Sequence, residues 1–358
     1  MFYIKNVKIN NFRCYLTKEV EFSPNSNIII GKNASGKTSL VEAVCYLCLG
    51  KSFKNAKDVE LIKINKDYFN IIGNIIENEE KNNRIVIGYD TKTKKINYNG
   101  KVMSSISDYV GKYKVITFSP DDLELIKGTP TVRRRFIDIN ICQIDSKYLK
   151  LLMEYKHLLK RRNEILKLEN IDSKYLDILS GEIIERAKYI INKRRKFIQM
   201  LNEYIEKKSK FLTNDQEIVE LEYFPNVTEE EIKNKFKNDL KIDILTKTTN
   251  NGPHRDDLNI YINRQKASIF ASQGQIRTAV LAIKLGIADS FRSNNESMII
   301  ILDDVLSELD ISRQIKLLES IKNGNQVFIT TTDIKNIPSN IIKDSKIENI
   351  EDGEWDEW

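Results

Sequence analysis

A glycine-rich loop between a predicted strand and a predicted helix constrains the fold more than any other feature. Residues 31–38 read GKNASGKT, the apolar segment NIII ends just before them, and SLVEAVCYL follows. The pattern G-x-x-x-x-G-K-[ST] in this context indicates a phosphate-binding loop, because the backbone N–H groups and the helix start both attract an anion. A merely glycine-rich turn is the alternative. The loop therefore predicts a nucleotide-binding α/β domain.

The residue types in the loop predict a role for each of several residues. Lys37 is expected to bridge the β- and γ-phosphates, and the Thr38 hydroxyl is expected to ligate Mg²⁺. Gly31 and Gly36 give the backbone the freedom to curl around the phosphates.

A second predicted strand, MIIILDD at residues 298–304, ends in two carboxylates. A buried strand that delivers an acid at its end is the Walker B arrangement, in which Asp303 would hold Mg²⁺ through water. Asp304 would then orient or deprotonate the attacking water. An ordinary helix cap after a core strand is the alternative. With Lys37, these two acids form the predicted catalytic set.

Basic charge is concentrated in one part of the chain. The net charge of the 358 residues is +6, whereas residues 147–210 hold 17 Lys and Arg against 9 Asp and Glu, a balance of +8. Subtracting +8 from +6 leaves the rest of the chain at −2. Such a segment suggests a polyanionic partner, and a solvated Lys-rich helix face is the alternative.

The apolar residues and cysteines restrict the class of protein. No window approaches the ~18 consecutive apolar residues of a membrane span, and the N-terminus alternates like a strand, so we expect no membrane partner and a cytoplasmic location. Cys45 and Cys48 lie in an apolar run and are predicted to be buried thiols. The chain has only two histidines, which argues against a histidine-based metal site.

Hydrophobic periodicity predicts an α/β domain interrupted by helices. Residues 148–166 and 181–201 have the spacing of two antiparallel helices, and residues 228–240 that of a charged helix. The tail IEDGEWDEW is expected to be loosely ordered. Strands are predicted at residues 3–12, 26–31, 68–76, 84–90, 95–100, 113–120, 217–225, 258–265, 297–304 and 325–333, and further helices at Lys37 to Leu49 and Gln273 to Arg292.

Two further motifs narrow the class. Ser-x-Gly-Gln at residues 272–275 opens an amphipathic helix, and SELD at residues 307–310 follows the paired acids. In isolation the serine could be an ordinary N-cap. In this order after a phosphate loop, the motifs resemble those of the ABC-type ATPases. The resemblance implies that Ser272, Gly274 and Gln275 contact ATP held by a second copy, and that Asp310 lies at the seam of an ATP-dependent homodimer.

Several stretches are similar to the SMC-like branch of this superfamily, and in particular to its recombination-repair members, which act on DNA. They are NFRCY at residues 11–15, LGKSFKN at 49–55, and residues 117–138, 251–258 and 270–285. The resemblance implies an ABC/SMC-type head built from both chain ends, residues 1–130 and 248–358. A mostly helical basic insert, lobe II, would occupy residues 131–247.

The resemblance also implies a function. Such proteins bind ATP with Mg²⁺, bind duplex and gapped DNA, and with RecR and RecO promote RecA loading at gaps in repair, replication restart and the SOS response. ATP hydrolysis would be slow and stimulated by DNA. Arg13 would lie near the phosphates, and the loop contacts would extend to Lys32, Asn33, Ala34, Ser35 and Ser39. Candidate DNA contacts, each with an ion-paired surface residue as the alternative, are Lys51, Lys54, Lys57, Arg133, Arg134 and residues 193–196.

Three positions depart from the superfamily pattern. The strand VFITTTD lacks the switch histidine, so Thr331 or Asp333 would take its role, and Asp121 or Asp122 would stand in for the Q-loop glutamine. Asp304 replaces the usual glutamate, in keeping with slow turnover. The ATPase subunit of another ABC-type system, such as a transporter, is an alternative function. A small-molecule kinase is a second, but it leaves residues 270–275 and 307–310 unexplained.

Overall fold

The computed structural model describes residues 1–293, 297–322 and 324–350 and divides the chain into two compact units. The first unit contains Met1–Asp122 and the chain from Lys284 onward, and the second contains Leu123–Ile283. The strands are β1 (Phe2–Phe12), β2 (Tyr15–Glu21), β3 (Ser26–Ile30), β4 (Phe69–Glu77), β5 (Lys81–Tyr89), β6 (Lys94–Tyr98), β7 (Lys101–Val102), β8 (Lys114–Phe118), β9 (Val219–Phe224), β10 (Asp257–Ile262), β11 (Gln265–Lys266), β12 (Met298–Asp303), β13 (Gln326–Thr331) and β14 (Ser345–Asn349). The α-helices are α1 (Lys37–Leu49), α2 (Glu124–Lys127), α3 (Pro130–Ile144), α4 (Ser146–Ile165), α5 (Ser173–Thr213), α6 (Ile232–Asn238), α7 (Leu240–Thr246), α8 (Ala267–Phe270), α9 (Gln273–Arg292), α10 (Ile311–Ile321) and α11 (Ser339–Ile342).

A parallel sheet in the order β14-β3-β13-β12-β8 forms one layer of the first unit. Strands β12 and β13 are buried at every position, which explains their continuous apolar runs, because parallel sheets are covered on both faces. Asp303 on β12 is in register with Thr330 on β13, and Thr331 with Ile30 on β3. The phosphate loop and the paired acids therefore lie at the same edge of the sheet.

Helix α1 packs between this sheet and an antiparallel sheet in the order β2-β1-β4-β5-β6-β7. It contacts β8, β12 and β13 on one side and β1, β4 and β5 on the other. Eleven of its 13 residues are buried, among them Cys45 and Cys48, whose prediction as buried thiols is confirmed. The helix that begins at the phosphate loop is thus held by both sheets.

The second unit is built on α4 and α5, which are antiparallel as predicted. Lys193 of α5 pairs with Asp145 at the start of α4, whereas Arg162 near the end of α4 bonds Ser180 near the start of α5. Helix α5 is 41 residues long, about twice the length expected. It extends because residues such as Leu176 and Ile205, outside the predicted stretch, continue the buried stripe. The sheet β11-β10-β9 packs against α3 and α5.

Two parts of the secondary-structure prediction are wrong in detail. The charged segment 228–240 is helical only over the short helix α6, and a second short helix, α7, begins at Leu240 after a break at Asp239. Strand β2 was not predicted, because only Tyr15 and Val20 of its seven residues are buried and the rest are mostly polar. The acidic tail after Ile350 lies outside the described residues.

The division into units places residues 248–283 with the helices of the second unit. The sequence predicts that those residues belong to the head. The predicted lobe boundaries stay a prediction, because they describe functional lobes and the observed division describes packing.

A buried ion network holds the segment NGPHRDDL within the second unit. Arg194 is 2% exposed and bonds Asp138 and Asp256 at 2.8 Å each, and it donates to the Pro253 carbonyl at 2.6 Å. Asp256 also accepts the backbone N–H of Asn226 at 2.9 Å. These contacts hold residues 251–258 as a structural turn.

His254 belongs to the same turn and is neutral. Its Nε2 donates to the Thr249 carbonyl at 2.9 Å, and its Nδ1 lies 2.6 Å from the Tyr155 hydroxyl, so Nδ1 accepts. Burial lowers the pKa of His254 to about 4. An imidazole in this state has a packing role and does not carry charge to a polyanion at neutral pH.

We expect Arg194→Ala to lower the free energy of unfolding by about 3–5 kcal/mol, because it leaves two buried carboxylates without their cation. Lys196→Ala, two residues along the same helix but exposed, is the matched control and should change it by less than about 0.5 kcal/mol. Urea unfolding followed by circular dichroism measures both. Equal effects of the two substitutions would contradict the network.

Candidate nucleotide-binding site

The phosphate loop joins β3 to α1 and turns through left-handed backbone. Ala34 has φ 67° and Gly36 has φ 106°. Such residues turn successive N–H groups toward one side, which makes a concave anion site. A Cβ on Gly36 would lie 2.7 Å from the Tyr15 hydroxyl and 2.9 Å from Cys14 Sγ, so only glycine fits. Tyr15 also donates to the Gly36 carbonyl at 3.1 Å, which ties the loop to β2.

Lys37 lies over this loop. Its Nζ donates to the carbonyls of Gly31 at 2.8 Å and Lys32 at 2.7 Å, and the residue is 5% exposed. Burial lowers the pKa of Lys37, while Asp304 and Asp303 act in the opposite direction. The amine is thus held at the loop, near two carboxylates, where it can meet a phosphate.

Asp303 connects the loop helix to the parallel sheet. Its Oδ1 accepts the hydroxyl of Thr38 at 2.9 Å, so the two predicted Mg²⁺ ligands come together in the structure. Burial raises the pKa of Asp303, and the Thr38 hydrogen bond and the charge of Lys54 partly offset this rise. Lys54 Nζ lies 3.7 Å from Asp303 Oδ2.

Asp304 follows in a left-handed conformation with φ 59°. Its backbone N–H donates to Thr330 Oγ1 at 2.9 Å, and its carbonyl accepts the Ser307 hydroxyl at 2.8 Å. This conformation is uncommon outside glycine, although aspartate tolerates it better than most residues. Backbone strain of this kind at the end of a buried strand is typical of functional sites.

Thr330 lies outside the motifs that predict the site. Its hydroxyl donates to Asp303 Oδ1 at 3.0 Å while it accepts from the Asp304 N–H. Thr331, which is predicted to take the role of the switch histidine, donates to the Asp333 carbonyl at 2.9 Å, and its role stays a prediction. The signal that could have identified Thr330 is register, because neighbouring parallel strands place Asp303 beside it.

Arg13 and Asp122 each have an ion-pair partner. Arg13 donates from Nε and Nη2 to the buried Glu42 of α1, at 2.8 and 2.9 Å. Its role as a phosphate contact stays a prediction. Asp122, a candidate for the Q-loop role, pairs with Lys284 at 2.6 Å, and Asp121 is exposed.

The candidate DNA contacts are in different environments. Lys54 lies beside Asp303 and therefore at the loop site. Arg133 pairs with Asp257 at 2.6 Å, and Arg134 donates to the Asp256 carbonyl at 2.8 Å, so both have structural partners. Lys57 is exposed, and Lys51 is partly exposed. Within residues 193–196, Lys193 and Arg195 pair with carboxylates, Arg194 is buried and Lys196 is exposed.

The Ser-x-Gly-Gln motif forms a capping box at the start of α9, in the second unit. Ser272 N–H donates to Gln275 Oε1 at 2.9 Å, and Gln275 N–H lies 3.3 Å from Ser272 Oγ. Ser272 and Gly274 are both exposed. Asp310 caps α10 in the first unit by accepting from the Arg313 N–H at 2.9 Å. The N-cap interpretation of Ser272 is confirmed, and the motif remains accessible from outside.

The residues of the loop site fit a triphosphate with Mg²⁺. The hydroxyl of Ser35 is buried in the loop and finds no hydrogen-bond partner among the residues that the structure describes. A buried polar group in that state calls for a partner, and a phosphate oxygen would supply one. Thr38 and Asp303 offer the oxygen ligands that Mg²⁺ prefers.

Comparison with known proteins agrees with this geometry. Residues 3–343 match the family described as the RecF/RecN/SMC N terminal domain. The chain is 38% identical to the DNA replication and repair protein RecF of Streptococcus agalactiae, over 98% of this chain and 97% of that protein. The structure of a recombination mediator protein, RecF-ATP in the RecFOR pathway, is similar with a TM-score of 0.87 and 32% identity, over 94% of each chain. An Smc head domain from Pyrococcus furiosus has a TM-score of 0.55 at 19% identity, over 99% and 95%, which supports the fold alone.

The fold and the paired loop and acid motifs define an ABC-type P-loop ATPase of the SMC-like branch. Within that class, the chain belongs to the RecF family. The predicted fold class, an ATPase head built from both chain ends with a mostly helical second domain, is confirmed. In the described part of the chain, no helix is long and apolar enough to span a bilayer.

Gly36→Ala should lower the free energy of unfolding by about 1–3 kcal/mol, because the added methyl meets Tyr15 and a left-handed φ is strained. Gly181→Ala is the matched control, since that glycine lies inside α5 with open space around its Cβ position. We expect it to stabilise by about 0.5–1 kcal/mol. Thermal unfolding measures both, and a neutral Gly36→Ala would contradict the loop geometry.

Proposed function

We propose that this chain is an ATP-dependent, DNA-binding protein of recombinational repair. The observation that carries the proposal is the 2.9 Å hydrogen bond between Thr38 and Asp303, which joins the phosphate loop to the paired acids. The names of the relatives support the same role, since they are DNA replication and repair proteins and recombination mediators.

Each loop residue has a task in this proposal. The loop N–H groups and Lys37 bind the phosphates, and Thr38 and Asp303 hold Mg²⁺, which neutralises phosphate charge when it is bound. Asp304 orients the attacking water, and its side chain is shorter than the glutamate common in transporters. Slow hydrolysis agrees with this shorter side chain, and its stimulation by DNA is proposed from the family resemblance alone.

Dimerisation on ATP completes the proposal. The exposed N-terminus of α9 presents Ser272, Gly274 and Gln275, and helix N-termini attract phosphate. We assign these residues to the γ-phosphate of ATP bound by a second copy. Asp310, exposed at the start of α10, then lies at the seam between the copies.

DNA and the recombination mediators are the proposed partners. Duplex and gapped DNA would meet exposed lysines such as Lys57 and Lys196 by neutralisation of backbone phosphates. RecR, alone or with RecO, would join this complex to promote RecA loading at gaps; the RecFOR pathway named for a similar structure supports this. The names of these similar proteins do not favour the alternative, an ATPase subunit of another ABC-type system.

Lys37→Met should weaken the binding of ATP with Mg²⁺ by about 10- to 100-fold, because the variant loses a charge-assisted hydrogen bond to phosphate. Isothermal titration calorimetry measures the affinity. Lys66→Met, an exposed lysine of the same unit, is the control and should bind like the wild type. Equal affinities of the Lys37 variant and the wild type would contradict the nucleotide site.

Ser272→Arg should abolish the ATP-dependent dimer and leave ATP binding by the single chain within about two-fold, because the bulky cation blocks only the surface that meets the second copy. Sedimentation velocity with ATP and Mg²⁺, with and without duplex DNA, measures the dimer. Ser173→Arg, also at an exposed helix start, is the control and should dimerise normally. A dimer that survives Ser272→Arg would refute the assignment in trans.

A further inference from the structure

We propose that Glu42 is a positioning residue of the nucleotide site, which holds the cation Lys54 beside Asp303 through the hydroxyl of Ser52. The inference rests on the proposed function and names a residue that neither the phosphate-loop motif nor the paired acids contain. Glu42 lies on α1, four residues after Thr38 and therefore about one helical turn further along the same helix.

Glu42 is a buried carboxylate, and both of its oxygens accept hydrogen bonds. It is 1% exposed, and it accepts from Arg13 Nε at 2.8 Å, from Arg13 Nη2 at 2.9 Å and from Ser52 Oγ at 2.5 Å. Burial of a carboxylate is costly unless it is paired in this way. Its partners come from two segments outside α1, the turn between β1 and β2 and the loop after Leu49.

Ser52 connects Glu42 to the backbone of Lys54 through two hydrogen bonds. Ser52 is 1% exposed, and its Oγ accepts the backbone N–H of Lys54 at 2.9 Å while it donates to Glu42. Because its donor is used by the carboxylate, the oxygen lone pairs are left for the lysine N–H. The backbone of Lys54 is therefore fixed relative to α1.

The side-chain amine of Lys54 completes a ring of contacts that returns to α1. Its Nζ lies 3.7 Å from Asp303 Oδ2, and Asp303 accepts from Thr38, which is again on α1. We call Glu42, Ser52, Lys54, Asp303 and Thr38 the Glu42 ring. The ring begins on α1 at Glu42 and returns to the same helix at Thr38, one turn earlier.

The weakest contact of the Glu42 ring is the ion pair between Lys54 and Asp303. A separation of 3.7 Å is an ion pair without a direct hydrogen bond, and the Lys54 side chain is 34% exposed. Asp303 by itself therefore gives Lys54 little directional restraint. The backbone contact through Ser52 supplies that restraint, and it keeps a positive charge beside Asp303, where it would attract the negative charge of the phosphates.

A double-variant cycle on the affinity for ATP with Mg²⁺ tests this assignment. Glu42→Gln keeps the size of the side chain and should weaken binding about ten-fold, and Lys54→Met should do the same. If Glu42 acts through Lys54, the double variant should bind at least three-fold more tightly than the product of the two single effects. Effects that simply multiply would overturn the inference, because they are expected of a residue that only stabilises the fold.

Two further variants keep the test decisive. Ser52→Ala removes only a hydroxyl, so it replaces Glu42→Gln if that variant does not fold, and it should show the same coupling with Lys54→Met. Glu42→Gln combined with the exposed Lys66→Met is the matched control, whose effects should multiply. If ATP affinity does not depend on Lys37, the proposed function and this inference both fall. If it does depend on Lys37 but the effects multiply, only the inference falls.

Discussion

The burial of α1 between two sheets is the constraint on which the rest of this structure depends. Eleven of its 13 residues are inside, so the helix cannot tilt without disturbing both the parallel and the antiparallel layer. The phosphate loop is the start of that helix, and Asp303 on β12 is one of its neighbours. A rigid helix thus fixes the distance between the loop and the paired acids, which is the arrangement that phosphate chemistry requires.

In the basic segment, the net charge counted from the sequence is larger than the charge that is exposed at the surface. Residues 147–210 carry an excess of eight positive charges, yet Arg162 and Arg194 are buried. Their partners, Asp243 for the first and Asp138 with Asp256 for the second, lie outside the segment in sequence. Part of the excess is therefore neutralised within the second unit. A polyanion would meet a weaker field than the sequence alone suggests.

Much of this protein could be predicted from local sequence patterns, whereas contacts between distant segments could not. The loop motif located Lys37 and Thr38, and the apolar run before Asp303 located its strand, because each signal is confined to a few residues. Thr330 and Glu42 were not found, since their partners depend on strand register and on packing across distant segments. The 41-residue length of α5 was underestimated for a similar reason, because its ends are stabilised by tertiary burial.

Thr330 has a mechanical consequence. One hydroxyl donates to the side chain of Asp303 and accepts from the backbone of Asp304, so both acids are attached to β13 through a single atom. A shift of β13 along β12 would therefore be transmitted to both acids together. A hydroxyl also keeps its protonation state across the pH range in which an imidazole titrates. Movement of a strand, rather than arrival of a proton, is what this contact can transmit.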